Sequence, residues 1–213
     1  MHTFTQRLFL ALCLAAPLAA SAQDGNAALY DAVAPAGSAY VRMLNLTAVG
    51  SELMVSGKSA AQKIGAGQLG NYQFVAPGAH KLSAGGTTLE TSLNANSATT
   101  LIFDGQQLKP IADTYSEDSK KALIAFYNLT DKPLSLKTLD GKHAVVESVA
   151  SGQTGSRQVN EIKIGFAAYA GDQNLAKFDE LFLKKGRSYS YLVIPDGAGV
   201  RTIASMNGLD SIK

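Results

Sequence analysis

Ala39-Tyr40-Val41-Arg42-Met43-Leu44-Asn45-Leu46-Thr47 returns later in the chain as Ala122-Leu123-Ile124-Ala125-Phe126-Tyr127-Asn128-Leu129-Thr130, at an offset of 83 residues (122 less 39). Both copies are apolar runs that end in Asn-Leu-Thr. Further matches keep the same order: Gly67-Gln68-Leu69-Gly70 with Gly152-Gln153-Thr154-Gly155 at offset 85, Asp104-Gly105 with Asp196-Gly197 at 92, and Ile111-Ala112 with Ile203-Ala204 at 92. An ordered set of matches whose spacing grows slowly is the mark of a duplicated unit whose second copy has longer loops.

Within each copy the periodicity is two. Val41, Met43 and Val55, and Ile124 and Phe126, alternate with the opposite face of short runs bounded by Gly, Pro, Asn and Asp, which is the pattern of strands. Phe74 to Leu82 reads as strand, Pro77-Gly78 turn and strand, because proline presets φ at one turn position and glycine accepts φ > 0 at the next. Asp104-Gly105, Asp140-Gly141 and Asp196-Gly197 are further turns. Asn174 to Gly186 fits a helix through Leu175, Phe178 and Phe182 or a strand through Phe178, Glu180, Phe182 and Lys184. Its counterpart around Thr88 to Leu93 is threonine-rich, which favours the strand. The expected fold is all-β: two tandem antiparallel β-sandwich modules, residues 29–114 and 118–213, joined through the polar stretch Asp113 to Lys120.

The first residues have another purpose. Arg7 precedes the apolar run Leu8 to Leu14, and Ala20-Ser21-Ala22 supplies the small residues a signal peptidase needs, so residues 1–22 read as a secretory signal peptide. That run is too short to span a bilayer. Its alanine-rich character suggests bacterial export, and the periplasm is the expected location. Cys13, the chain's one cysteine, leaves with the signal, as does His2. The mature chain is then cysteine-free and nearly neutral, with 18 of the 19 bases against 17 acids. No disulfide, no lipid anchor and little attraction for a polyanionic polymer or a nucleic acid are expected of it.

Motifs for catalysis are sparse. Gly65-Ala66-Gly67-Gln68-Leu69-Gly70 has dinucleotide-loop spacing, but Pro77-Gly78 follows too soon for the helix that would take the pyrophosphate. Gly57-Lys58-Ser59 resembles the end of a phosphate-binding loop, yet Glu52 stands where the first glycine belongs. His80 and His143 are the mature histidines, too few for a zinc site, and no cofactor is expected. Asp140-Gly141-Lys142-His143 has the Asp-x-x-His spacing of some serine esterases, but neither Gly-Asp-Ser nor Gly-x-Ser-x-Gly supplies a nucleophile. Asn45 and Asn128 stand in Asn-x-Thr sequences that either accept glycans in a glycosylating host or end the first strand of each module.

One stretch suggests a contact surface. Lys184, Lys185 and Arg187 flank Tyr189 and Tyr191, and on a strand the two tyrosines share a face. They suit a protein or sugar partner, unless both rings are core and the bases a solvated hairpin tip.

Leu29-Tyr30, Ala34-Pro35-Ala36-Gly37-Ser38 and Ala125-Phe126-Tyr127-Asn128-Leu129-Thr130, in an exported chain with two Asn-Leu-Thr modules, resemble the alginate O-acetylation protein F family along nearly the whole mature length. The resemblance implies a periplasmic protein needed to add acetyl groups to alginate. It also implies a membrane O-acyltransferase and soluble periplasmic acetyltransferases as partners. No catalytic residue comes with it. The expected role is a non-catalytic adaptor; the alternatives are a module that binds alginate itself and an acetyl-relay enzyme.

Overall fold

A computed structural model describes residues 33–116 and 118–210. The signal peptide read in residues 1–22, and Leu29-Tyr30, lie outside the described residues. No helix occurs among those described. The first half runs β1 (Ala39–Asn45), β2 (Ser51–Val55), β3 (Gln62–Ile64), β4 (Gln73–Val75), β5 (Gly78–Ala84), β6 (Thr87–Leu93), β7 (Ala98–Phe103) and β8 (Leu108–Asp113). The second runs β9 (Ala122–Asn128), β10 (Leu134–Thr138), β11 (Ala144–Val149), β12 (Gln153–Val159), β13 (Ile162–Ile164), β14 (Phe166–Ala170), β15 (Gln173–Lys177), β16 (Leu181–Leu183), β17 (Ser188–Asp196) and β18 (Gly199–Met206).

The sheets repeat one topology. In the first half the orders are β4-β1-β7-β8 and β3-β2-β5-β6; in the second they are β12-β9-β17-β18 and β11-β10-β14-β15. The strands β13 and β16 form an added ribbon with no counterpart in the first half. Two features account for the growth of the offset beyond 85: one is this ribbon, and the other is the last hairpin, which closes at Phe103↔Leu108 in the first copy and runs on to Asp196↔Gly199 in the second.

Two details differ from a purely antiparallel expectation. β1 pairs with β7, and β9 with β17, in parallel. After β1 the chain visits the facing sheet, and it re-enters beside β1 pointing the same way. Likewise Pro77-Gly78 turns the chain between sheets, since β4 pairs with β1 whereas β5 pairs with β2 and β6. Over Asn174 to Gly186 the chain is extended rather than helical, as two short strands, β15 and β16, in different sheets, with Phe178 buried between them.

Parallel strands are commonly buried on both faces, and β1 and β9 are nearly so throughout. On one face Val41 and Met43, with Leu53, Leu82 and Leu101, fill the first sandwich, while Ile124 and Phe126, with Leu136, Phe166 and Tyr191, fill the second. On the other face Leu44, Ile102 and Ile111 meet Ala125, Tyr127, Leu192 and Ile194 in a third core. The two halves therefore pack back to back through the sheets that hold β1 and β9.

Each Asn-Leu-Thr closes a corner in the same way. Asn45 Nδ2 donates to the carbonyls of Val49 and Gly65 at 2.8 and 3.0 Å, and its Oδ1 accepts from the amide and hydroxyl of Thr47. Asn128 repeats this with Lys132, Val149 and Thr130. Both amides are fully buried, so neither asparagine is a glycan acceptor in the folded chain. They end the strands β1 and β9.

Candidate functional site

The seam between the halves is centred on a buried cation. Arg42 lies on the face of β1 that Leu44 shares, and burying an unpaired guanidinium there would be costly. Its Nε donates to Thr100 Oγ1 at 3.0 Å, Nη1 to Asn207 Oδ1 at 2.8 Å, and Nη2 to Ser190 Oγ at 2.8 Å, to Asp113 Oδ2 at 3.1 Å and to the Tyr127 hydroxyl. Its plane lies over the Tyr72 ring, 4.1 Å from the centroid. Asp113 accepts further bonds from the hydroxyls of Thr100 and Tyr72. Burial by itself pulls the guanidinium pKa down, but Tyr127, Tyr72 and Asp113 outweigh it and hold the group above its ordinary value. Thr100, Asp113 and Tyr72 belong to the first half, and Tyr127, Ser190 and Asn207 to the second. At the repeat offset Arg42 falls on Ala125, a small buried residue of the same seam core. After β18 the chain also crosses back: Tyr72 N donates to Gly208 O, Asp210 N to Tyr72 O, and Gln62 Nε2 to Asp210 Oδ2. The network is a structural lock.

Away from Arg42 the seam opens into a groove of about 390 Å³. Leu46 and Leu129, the leucines of the two repeated corners, share its lining with Ile111 and Ile194, and Lys109 and Arg201 bring positive charge to it. Arg201 Nη1 donates to Gly67 O across the halves at 3.2 Å.

The residues expected to make a contact surface are split by the structure. Tyr189 and Tyr191 do share a face of β17, but it is the core face: they are 2% and 0% exposed. Tyr191 packs edge-on against Phe166 and Phe178. Neither ring is available to a partner, because alternation on β17 turns odd-numbered residues into the second sandwich. Tyr189 has a supporting role instead. Its hydroxyl donates to Phe182 O at 2.9 Å and accepts from Lys184 N at 2.8 Å, anchoring β16. Lys184 and Lys185 are exposed, and Arg187 is half-buried.

The surface beside those lysines belongs to the β13–β16 ribbon, which the sequence reading passed over. Phe182 lies opposite Lys163 and is 47% exposed; Ile162, one residue before Lys163, is 44% exposed. Lys163 Nζ reaches Glu180 at 2.9 Å. The signal available in sequence was the apolar triplet Leu181-Phe182-Leu183 among charges: Leu181 and Leu183 face the core, so Phe182 must face out.

A second group went unseen because its members are 24 residues apart. Ser56 follows β2 and His80 lies on β5, and the Ser56 hydroxyl is 3.2 Å from His80 Nδ1. His80 Nε2 lies 2.8 Å from the Ala76 carbonyl, and Lys81 N donates to Ser56 Oγ at 3.0 Å. His143, by contrast, is an exposed turn residue whose amide is held by Thr138. The Gly65–Gly70 stretch is a β-connection beside Asn45, with Gly67 at φ +67°.

The family model described as "Alginate O-acetyl transferase AlgF" matches residues 10–190. The alginate biosynthesis protein AlgF of Pseudomonas fluorescens is 32% identical over 209 residues, covering 94% of this chain and 95% of that protein. The AlgF protein of Pseudomonas aeruginosa is 34% identical over 199 residues, covering 92% and 90%. Among solved structures, the C-terminal domain of AlgF from P. aeruginosa matches 41% of this chain and 99% of its own at 28% identity, with a TM-score of 0.39.

Proposed function

Because the chain belongs to the AlgF family of alginate O-acetylation proteins, we propose that it acts in the periplasm as an adaptor that bridges the acetyltransferase components acting on alginate. The observation that carries this reading is the β13–β16 ribbon. It is an addition to an otherwise repeated fold, and it presents the half-exposed Phe182 to solvent on the face it shares with Lys163, with Lys184 and Lys185 following it in the chain. An exposed aromatic side chain among charged ones is a common centre of a protein-binding patch. The Arg42 lock supports the reading too, since a bridge transmits a fixed geometry only if its two halves move as one. Among the described residues no helix is long and apolar enough to cross a membrane; a periplasmic adaptor would meet a membrane O-acyltransferase at its periplasmic face.

The test is capture of the acetyltransferase components by the purified chain. Phe182→Ser removes the exposed ring without touching the sandwich cores. Losing a hot-spot side chain costs about 2 kcal/mol or more, roughly a thirtyfold weaker complex, and polymer acetylation in cells should fall with it. Unchanged capture and acetylation would refute the role of this surface.

The seam groove favours a second reading. Lys109 and Arg201, which outnumber the single carboxylate of Asp196 in the lining, suit the carboxylates of a uronate chain, and Leu46, Ile111, Leu129 and Ile194 suit its ring faces. Titration with alginate oligomers checks it: Lys109→Ala with Arg201→Ala should abolish any saturable signal, and absence of binding by the parent chain would end it.

A further inference from the structure

Ser56 and His80 have the geometry of a nucleophile and its base. A neutral imidazole carries one N–H. The Ala76 carbonyl can only accept, so Nε2, at 2.8 Å, holds the hydrogen, and Nδ1 presents a lone pair. Nδ1 has two neighbours, Ser56 O at 3.3 Å and Ser56 Oγ at 3.2 Å, and of these the hydroxyl alone can donate. The serine proton therefore points at the base, and a backbone carbonyl holds the ring in that tautomer, the role a carboxylate has in other triads. The frame is firm. Ser56 N donates to Lys81 O, Lys81 N returns a bond to Ser56 Oγ, and Lys58 N closes the turn onto Val55 O.

The pair also stands between two cavities. One, of about 410 Å³, has an apolar lining that includes Pro35, Phe74, Val75 and Pro77. The other, more open and of about 620 Å³, is lined by polar side chains including Lys81, Glu90, Thr91 and Ser92. Ser56 and His80 are the residues the two share. A site with an apolar pocket on one side of a hydroxyl and a polar shelf on the other suits transfer of a small acyl group from a donor to a polyhydroxylated acceptor.

We propose that Ser56 accepts an acetyl group, with His80 as its general base, and passes it to a sugar hydroxyl. The choice of acetyl rests on the family reading above; the nucleophile and base rest on the geometry. In the first step Ser56 Oγ bonds to the carbonyl carbon of an acetyl ester or thioester, its proton moves to His80 Nδ1, and the donor's C–O or C–S bond breaks. The leaving alkoxide or thiolate takes that proton. In the second step the acceptor hydroxyl attacks the Ser56 ester, loses its proton to Nδ1, and Ser56 Oγ recovers a proton as it leaves. This adds an activity to the adaptor and does not depend on the ribbon.

The experiment uses the mature chain and p-nitrophenyl acetate as donor. Intact mass should rise by one hydroxylamine-labile acetyl, and peptide mapping should place it on Ser56. Ser56→Ala should abolish that ester, and His80→Gln should slow its formation about 100-fold, the low end of what a positioned base contributes. Both residues lie at the surface, so tyrosine circular dichroism should show both variants folded. No ester on Ser56, or an equal rate in His80→Gln, overturns the proposal. Capture of acetyltransferase components separates the two ideas: a parent chain that captures them but forms no Ser56 ester is an adaptor with no relay, and capture retained by Ser56→Ala shows that docking does not need the ester.

Discussion

Replacing Arg42 by methionine tests the seam most directly. The side chain is almost as long and stays apolar, so little volume is lost, but five hydrogen bonds go with the guanidinium. Asp113, whose side chain is as deeply buried as that of Arg42, is left without its counter-charge. Breaking a buried pair from one side costs about 3–5 kcal/mol. Against a total stability of about 5–15 kcal/mol that is about a fifth or more. Three of the lost bonds, to Tyr127, Ser190 and Asn207, cross between the halves, so the cost should appear as lost cooperation as well as a lower midpoint. Urea unfolding is the assay. The chain has no tryptophan, and near-ultraviolet circular dichroism of the Tyr40, Tyr72 and Tyr115 cluster reports on the seam, while far-ultraviolet signal reports on both sandwiches. In Arg42→Met the tyrosine signal should be lost before the strand signal. Adding Asp113→Asn removes the stranded charge while keeping an acceptor for Thr100 and Tyr72, and should restore about 2 kcal/mol. A single mutant within 1 kcal/mol of the parent, or a double mutant no more stable than the single, would refute the account of Arg42 as a charge held by its pair.

Two smaller changes read the repeat and the core. Asn128→Ala removes two donor and two acceptor bonds at a buried corner and should cost about 2–4 kcal/mol at roughly 1 kcal/mol per bond, with Asn45→Ala costing a similar amount, both measured by thermal unfolding; a cost at one corner only would show that the corners are not equivalent. Among the described residues the buried Tyr191 hydroxyl has no hydrogen-bond partner, so Tyr191→Phe should be neutral or raise the unfolding temperature, and a loss of more than 1 kcal/mol would mean that the hydroxyl is satisfied in solution.

The parts of this fold that sequence could disclose are those that duplication wrote twice. The Asn-Leu-Thr corners, the strands β1 and β9, and the Gly67 and Gly152 segments opposite them repeat in register: Asn45 N bonds to Gln68 O as Asn128 pairs with Gln153, at the offset of 85 read from residues alone. The match of Ile111 with Ile203 is two residues out. The ladders place Ile111 opposite Thr100 and Ser205 opposite Ser190, and a two-residue slip is hard to see in a strand because it keeps the same face. The parallel pairing of β1 with β7 left no local trace, because which strand returns beside β1 is decided by the path through the other sheet. The tyrosines of β17 were placed on one face correctly, but a period of two does not say which face is the core. Ser56 and His80 stayed hidden for another reason, since their contact is made by strand pairing and neither belongs to a contiguous motif.

The differences between the copies then locate specialisation. The lock needs a long cation on one β strand and a small residue on its mate, and Arg42 and Ala125 divide those roles, so duplication alone could not have produced the seam. At the offset that superposes Asn45 on Asn128, Ser56 falls on Leu139, a half-exposed leucine whose side chain can be neither nucleophile nor hydrogen-bond partner. The serine and histidine pair therefore belongs to the first copy alone, as the ribbon with Phe182 belongs to the second alone. If the two proposals hold together, the chemistry sits on one half and the docking surface on the other, and Arg42 fixes the distance between them. Under that arrangement Arg42→Met should leave the acetylation of Ser56 by p-nitrophenyl acetate intact, because β2 and β5 lie in the sheet that faces away from the seam, yet lower polymer acetylation in cells. Loss of the Ser56 ester in Arg42→Met would contradict this division of labour.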